Sequence, residues 1–339
     1  AAAPDVRMRV VEHPVTTEPA LRIRLDRGDA RSKVRRLKAL IRERFATDDQ
    51  SYGLRLDEGW DARPADLPLV LLVQGYGDSP ESLGGLHGEL VEHGFPCATF
   101  AYPNDGPLTE AAELLAAELH DFQEEHPDRN IAAVTHSMGG LVVRAVIEDS
   151  DLDPGNVSRL IMVCPPNHGS PWAELPGGLE CWEYLQEEER DSLGNAFNAS
   201  VSDGLNEART DLKPGSRFLH ELNARERNPN VHYSLLLGTG SPFTEKAVCG
   251  LHERVARSLA DDRTGRFFMP RVDGFFAGLE ELASGRGDGV VSITSGQLEG
   301  VRDVVLLPIH HGDATGELSS PVQQLLLGEI VDRLERTAP

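Results

Sequence analysis

Long apolar runs and repeats are both missing from this sequence of 339 residues. A membrane-spanning helix requires about 20 consecutive apolar residues, whereas the longest apolar runs here, such as residues 67–73, have the length of a buried strand. The sequence also has no internal repeat and no low-complexity linker, which excludes a repeat architecture. Hydrophobic residues make up 40% of the chain, and this content predicts a soluble globular protein rather than a disordered one.

Positive charge is scarce, because 33 lysines and arginines face 55 aspartates and glutamates and leave a net charge of −22. A strongly acidic chain is not a general nucleic-acid binder, since it repels the phosphate backbone. The exception is the basic segment at residues 22–44. Such a segment is either a solvated helix face that balances acidic residues elsewhere or a contact with an anionic surface, and the first is the commoner case.

Cysteine is also rare, with four residues in the chain. Cys97 and Cys164 lie in apolar runs and are predicted to be buried thiols. Cys181 and Cys249 lie in loop-rich segments and could pair, although an even count does not establish a disulfide. No group of acidic residues has the loop spacing of a calcium site, so the sequence predicts no bound metal.

Short apolar runs alternate with longer amphipathic segments from residue 67 to residue 164. This alternation predicts a mostly parallel central sheet with helices on both faces, because strands joined by helices run in the same direction. The predicted strands occupy residues 68–77, 95–103, 130–137, 157–166, 231–240 and 301–309. The main predicted helices occupy residues 79–94, 108–126, 138–149 and 320–337.

Two irregular stretches, residues 167–230 and 241–284, interrupt this rhythm. Because a predicted strand follows each of them, we interpret both as insertions in a single α/β domain that spans residues 1–339. Insertions of this kind stand over the ends of the strands and form helical caps or lids. Residues 1–65 are predicted to supply edge strands and a basic helix.

The stretch VTHSMGG at residues 134–140 places a serine between a predicted strand and a predicted helix. In a nucleophile elbow the backbone turns so sharply at the serine that small residues are needed two positions before and after it. Gly139 meets this requirement, and Thr135 stands where glycine is commoner. A serine that only caps the helix is the alternative, but the strand–turn–helix context favours Ser137 as a nucleophile.

A nucleophilic serine requires a base and an orienting carboxylate, which follow it in this type of fold in the order serine, acid, histidine. Asp288 lies in a glycine-flanked turn, and His310 and His311 directly follow the last predicted strand. These positions are at the carboxyl ends of strands, where the sites of open parallel sheets gather. We predict His311 as the base, because His310 continues the strand, and His310 remains the alternative.

Two main-chain amides are expected to stabilise an oxyanion: that of Met138, the first free amide of the helix, and that of Tyr76 in a glycine-rich turn. Gly75 in that turn is expected to let the backbone approach the substrate. His136 leaves the elbow in another direction, so it is predicted to contact substrate rather than to act as the base. Trp172 belongs to the aromatic residues of the insertions, which either line an acyl pocket or pack together.

Five segments, in order and with compatible spacing, resemble lipase-type α/β-hydrolases: LLVQGYGDSPESL, VTHSMGGLVVRAVIE, VCPPNHGSPWAEL, DGVVSITSG and HHGDATG. The pattern is most similar to bacterial triacylglycerol lipases and to lipase-like proteins related to GPI inositol-deacylases, over about residues 67–337. The resemblance implies an α/β-hydrolase fold. It also implies ester hydrolysis through Ser137, Asp288 and His311, with the Tyr76 and Met138 amides as oxyanion donors and no cofactor.

Two residues depart from the pattern of this family. Gln74 stands where the family usually has a histidine, and Thr135 replaces the first glycine of the elbow. The stretch PNHGSP at residues 166–171 fits the pattern and implies that His168 bridges backbone groups near the site.

A small-molecule or lipid ester is therefore the expected substrate. The same three side chains could also cleave amides or thioesters, or transfer the acyl group to an alcohol. The fold can also persist as a lipid-binding or partner-binding module without turnover. No residue of the expected catalytic set is missing, which favours an enzyme.

Overall fold

The computed structural model describes residues 52–64, 66–104, 106–174, 207–260 and 263–336. The basic segment at residues 22–44, Cys181 and the larger part of the first insertion lie outside these ranges. The described chain contains seven strands: β1 (Gly53–Leu56), β2 (Leu69–Val73), β3 (Cys97–Ala101), β4 (Ile131–His136), β5 (Val157–Val163), β6 (His232–Gly238) and β7 (Asp303–Leu307).

These strands form one sheet with the order β1-β3-β2-β4-β5-β6-β7. Strand β1 pairs antiparallel with β3, and every other neighbouring pair is parallel. The mostly parallel sheet predicted from the sequence is therefore confirmed. All residues of β2 and β4 are buried, as expected for central strands that are covered on both faces.

Helices cover both faces of the sheet. Helices α1 (Gly84–Glu92) and α9 (Pro321–Glu335) pack on one face with Leu90, Leu326 and Ile330. Helices α2 (Leu108–Glu125) and α3 (Gly139–Ile147) pack on the other face and line it with small and aliphatic side chains. The short helices α4 (Glu207–Asp211) and α5 (Arg217–Asn223) join this second layer.

The stretch at residues 241–284, which is irregular in sequence, contains two long helices, α6 (Glu245–Ala260) and α7 (Arg263–Leu282). Their apolar residues form a cluster of their own, separate from the two layers on the sheet. Pro270 lies inside α7 and obscures the helical pattern. Gly278 is needed for packing, because a Cβ atom there would lie 2.5 Å from Pro171 Cβ. A short helix, α8 (Ile293–Gly296), then precedes β7.

The described cysteines are free thiols, with Cys97 and Cys164 buried and Cys249 exposed. Cys249 Sγ lies 3.7 Å from Glu280 Oε1 on the neighbouring helix α7. Within the described ranges, none of the helices combines the length and the apolar character that crossing a bilayer requires.

Candidate active site

Ser137 lies in a strained turn between β4 and α3. Its φ angle is 51°, in the left-handed region that residues other than glycine rarely adopt. Such a conformation costs about 1–3 kcal/mol and persists only where the surrounding structure enforces it. Here the Ser137 amide donates a 2.9 Å hydrogen bond to the carbonyl of Val163 at the end of β5, so the neighbouring strand holds the turn.

The two positions that flank the serine by two residues are both crowded. A Cβ atom on Gly139 would lie 2.5 Å from the carbonyl oxygen of Gln74 and 2.6 Å from that of Val73. Thr135 is 1% exposed, and its hydroxyl lies 3.5 Å from the Ile161 carbonyl of β5. Glycine is therefore required after the serine, whereas threonine fits before it.

We expect Gly139→Ala to lower the free energy of unfolding by about 1–3 kcal/mol, the usual cost of overpacking. The clash is with two backbone carbonyls of the central strand region, which cannot rotate away as a side chain would. Gly88→Ala is the matched control, because nothing lies within 4 Å of its Cβ position in α1 and alanine is the better helix former. Urea unfolding of both variants checks this, and equal stability of the two would contradict it.

Ser137, His311 and Asp288 lie in one hydrogen-bonded row. Ser137 Oγ is 2.9 Å from His311 Nε2, and His311 Nδ1 is 2.8 Å from Asp288 Oδ2. The three side chains come from the ends of β4, of β7 and of the segment that follows β6. All three therefore lie at the carboxyl edge of the parallel strands, where their positions in the sequence predicted a site.

Asp288 is held as an anion inside the protein. Its Oδ1 atom accepts hydrogen bonds from the backbone amides of Val290 (2.8 Å) and Val291 (2.7 Å). Burial alone would raise the pKa of the Asp288 carboxyl group, but the His311 imidazole and these hydrogen bonds outweigh it and hold the pKa below its usual value. The carboxylate can therefore orient His311 and stabilise its protonated form.

The loop that carries Asp288 is fixed by residues from the start of the first insertion. Ser170 Oγ donates a 2.7 Å hydrogen bond to the Val290 carbonyl, and Trp172 Nε1 donates a 2.9 Å hydrogen bond to the Gly289 carbonyl. The Trp172 ring also packs edge-on against Phe275 of α7, with ring centroids 5.5 Å apart. Trp172 was expected to contact substrate. The contacts that the structure shows are with the loop that carries Asp288 and with Phe275 of helix α7.

The glycine-rich turn after β2 lies directly against the serine. A Cβ atom on Gly75 would be 3.1 Å from Ser137 Cβ, a tight contact, so a glycine at this position favours the close approach of the turn to the serine. Gly77 has a φ of 69° and lets the turn reverse. Met138 caps α3, and an amide at this position has no acceptor within the helix. Met138 directly follows Ser137 in the chain, and Tyr76 directly follows Gly75 in this turn.

His310 and His311 have different surroundings. His310 is exposed, and its Nε2 atom lies 3.1 Å from Asp313 Oδ1. Its backbone amide donates to the other oxygen of the same carboxylate. Of the two histidines, it is His311 whose ring lies between Ser137 and Asp288.

A buried polar network supports the turn after β5. Asn167 is fully buried, donates from Nδ2 to the Gly296 carbonyl (2.8 Å), and accepts from Arg144 Nη1 (2.9 Å). Arg144 is itself buried and paired with Glu148 at 3.0 Å. His168 was expected to bridge backbone groups here, but its side chain is exposed and the bridging side chain is Asn167. Asn167 and His168 are neighbours in the stretch PNHGSP, so the sequence pattern that pointed to His168 also contained Asn167.

Two groups of described side chains have metal-compatible donor atoms within 4.8 Å of one another: Asp57, His87 and Cys97, and Cys164, Asp288 and His311. A cysteine binds a metal as the thiolate. Burial raises the pKa of the Cys97 thiol to about 12 and that of Cys164 well above its usual value. In both groups the histidine is already hydrogen-bonded to the aspartate, His87 to Asp57 at 2.9 Å and His311 to Asp288 at 2.8 Å. These pairs account for the closeness of the donor atoms, and we assign no metal to either group.

Comparison with known proteins places these observations in context. Residues 70–290 match a family model described as the alpha/beta hydrolase family. The mature lipase BlEst2 of Bacillus licheniformis is similar in structure, with 16% identity and a TM-score of 0.53 over 80% of this chain and 94% of that one. Its propeptide form gives 17% identity and a TM-score of 0.54 over 81% of this chain and 52% of that one. No curated protein sequence matches the chain.

Proposed function

We propose, on the premise that this chain belongs to the alpha/beta hydrolase family, that it is a serine hydrolase that cleaves carboxylic esters. The family match and the seven-stranded sheet confirm the α/β-hydrolase fold predicted from the sequence. The observation that carries the proposal is the row Ser137–His311–Asp288, with contacts of 2.9 and 2.8 Å. A serine that only caps a helix requires neither a histidine nor a carboxylate beside it.

In the proposed mechanism His311 Nε2 removes the proton of Ser137 as Oγ attacks the ester carbonyl. The Asp288 carboxylate accepts a hydrogen bond from Nδ1–H of His311 and stabilises the imidazolium that forms. The imidazolium then gives its proton to the leaving alcohol, and an acyl-enzyme remains on Ser137. A water molecule, deprotonated by the same imidazole, attacks the acyl-enzyme; the bond between the acyl carbon and Oγ breaks, the imidazolium returns the proton to Ser137 Oγ, and the acid is released.

The ester carbonyl oxygen, on which negative charge develops, is proposed to accept hydrogen bonds from the backbone amides of Tyr76 and Met138. Support comes from the turn at Gly75, which packs on Ser137 Cβ, and from the start of α3, whose N-terminal end favours negative charge. One such donor contributes about 10²–10³ in kcat. Gly75 is proposed to lie beside the reacting carbonyl.

The ester's acyl or alcohol part is proposed to lie between the strand ends and the helix pair α6–α7, which would then form a cap. This proposal is supported by Trp172, which packs against Phe275 of α7 and donates a hydrogen bond to Gly289 in the loop that carries Asp288. Phe275 and Phe276 are buried within the pair, so they pack its interior. A lipase such as BlEst2 acts on esters by its name, and we propose an ester substrate for this chain as well.

A fluorophosphonate probe tests the proposal, because it reacts only with an activated serine. We expect labelling at Ser137, found by peptide mapping, and hydrolysis of p-nitrophenyl butyrate and a long-chain ester. Matched amides and thioesters, assayed in parallel, should be cleaved more slowly. Folded protein that neither labels nor hydrolyses any of these, with detergent present to open a cap, would refute the proposal in favour of a binding module.

A further inference from the structure

His136, which precedes the serine, contacts three separate segments of the site. It is 4% exposed, and its Nε2 atom lies 2.9 Å from the backbone carbonyl of His311. Its ring centroid is 4.9 Å from that of His311. On its other side, Nδ1 lies 3.8 Å from Asp78 Oδ2 in the turn after β2. The imidazole therefore lies between three segments: the turn at Ser137, the segment after β7 that carries His311, and the turn after β2.

The hydrogen-bond partner of His136 determines where its proton lies. A carbonyl oxygen can only accept, so the hydrogen must be on Nε2 and the Nε2–H must donate to His311. The other ring nitrogen, Nδ1, is buried and has no hydrogen-bond partner within the described residues. The Asp78 carboxylate lies beyond hydrogen-bond distance on that side, so within the described residues the hydrogen bond of the His136 ring is the one with the backbone of His311.

The backbone of His311 is thereby fixed at both of its polar groups. Its amide donates a 3.0 Å hydrogen bond to the Asp288 carbonyl, and its carbonyl accepts the one from His136. The preceding residue, His310, is exposed and contacts Asp313 rather than the site. A loop held in this way keeps Nε2 of His311 at hydrogen-bond distance from Ser137.

We propose that His136 is a positioning residue for His311 and acts through the Nε2–H hydrogen bond to the His311 carbonyl. The proposal rests on the function proposed above and adds a residue to its machinery. His136 does not exchange a proton with substrate in this scheme. It sets the place from which His311 removes the proton of Ser137.

Two amide variants of different length test the hydrogen bond. Glutamine can place its N–H₂ near the position of Nε2, whereas asparagine reaches only the position of Nδ1. We expect His136→Gln to keep kcat within about threefold of wild type and His136→Asn and His136→Leu to lower kcat by about 10²-fold, the effect of a small misplacement. KM should change little in all three, because in this proposal His136 acts on the place of His311 and not on the ester.

The control is His87→Leu, since His87 is also partly buried and pairs with an aspartate, Asp57, at 2.9 Å, but lies outside the site. It should leave kcat unchanged. A role in packing alone would make Gln and Asn equally harmful, and that result, or wild-type kcat in Asn and Leu, overturns the proposal. If His136→Leu does not fold, the Gln and Asn pair decides.

A second readout does not depend on turnover. The Nδ1 proton of His311, hydrogen-bonded to Asp288, should give a downfield proton resonance that is assigned by its loss in Asp288→Asn. We expect it in wild type and His136→Gln and expect it broadened or absent in His136→Asn. If wild type hydrolyses no ester, the proposed function fails, while this resonance still decides whether His136 positions the ring; an unchanged resonance in His136→Asn overturns the positioning role.

Discussion

Replacement of Ser137 by alanine is expected to lower kcat for ester hydrolysis by roughly 10⁶-fold, the scale on which a lost nucleophile acts in a serine hydrolase. Oγ is the atom proposed to form the acyl-enzyme, and alanine has no nucleophilic atom in its place. The fold should be unaffected, because alanine bears the same left-handed strain as serine at φ 51°. The rate of p-nitrophenyl butyrate hydrolysis and the extent of labelling by the fluorophosphonate probe both measure the loss of activity.

Ser284→Ala is the matched control for this variant. Ser284 is a second serine with a positive φ, 57°, but it is exposed and lies outside the row of three side chains. It should keep full activity and full labelling. Labelling that persists in Ser137→Ala would show that another serine reacts, and the assignment of the nucleophile would be wrong.

The elbow could be predicted from the sequence because its constraints are local. The clash of a Cβ atom at Gly139 with the Val73 and Gln74 carbonyls is the physical reason for a glycine in that position of the pattern. The alternation of strands and helices likewise follows from which residues each segment must bury. His311 was preferred over His310 on the same kind of argument, and the structure gives the two histidines the contrasting contacts described above.

The supports of the site could not be predicted in the same way. Ser170 and Trp172 donate hydrogen bonds to carbonyl groups that lie 120 and 117 residues further along the chain. A local sequence pattern cannot predict contacts between residues so far apart in the chain. A helical cap was expected at residues 241–284, but the individual helices α6 and α7 were not identified, because glycine and proline interrupt their sequence. His136 illustrates the same limit, since its partner, the His311 backbone, carries no side-chain signal at all.

Asp288→Asn is expected to lower kcat by about 10⁴-fold while the fold remains. The reason lies in the two amides of Val290 and Val291, which donate to Oδ1. An asparagine must keep its oxygen at that position, because its N–H₂ group would otherwise face two donors. The N–H₂ group then points at His311 Nδ1, which becomes an acceptor. The hydrogen of the neutral imidazole moves to Nε2, and Nε2 can no longer remove the proton of Ser137.

This variant separates orientation of the imidazole from simple loss of charge. Asp57→Asn is the matched control, because it removes one negative charge from another aspartate–histidine pair, 2.9 Å apart. It should change kcat by less than about twofold, since screening weakens the effect of a distant charge. The pH profile of Asp288→Asn adds a second check: hydroxide can replace the missing base, so the residual rate should rise with pH. If Asp288→Asn retained wild-type kcat, the acid would have to be another carboxylate, and Asp288 would only fold its loop.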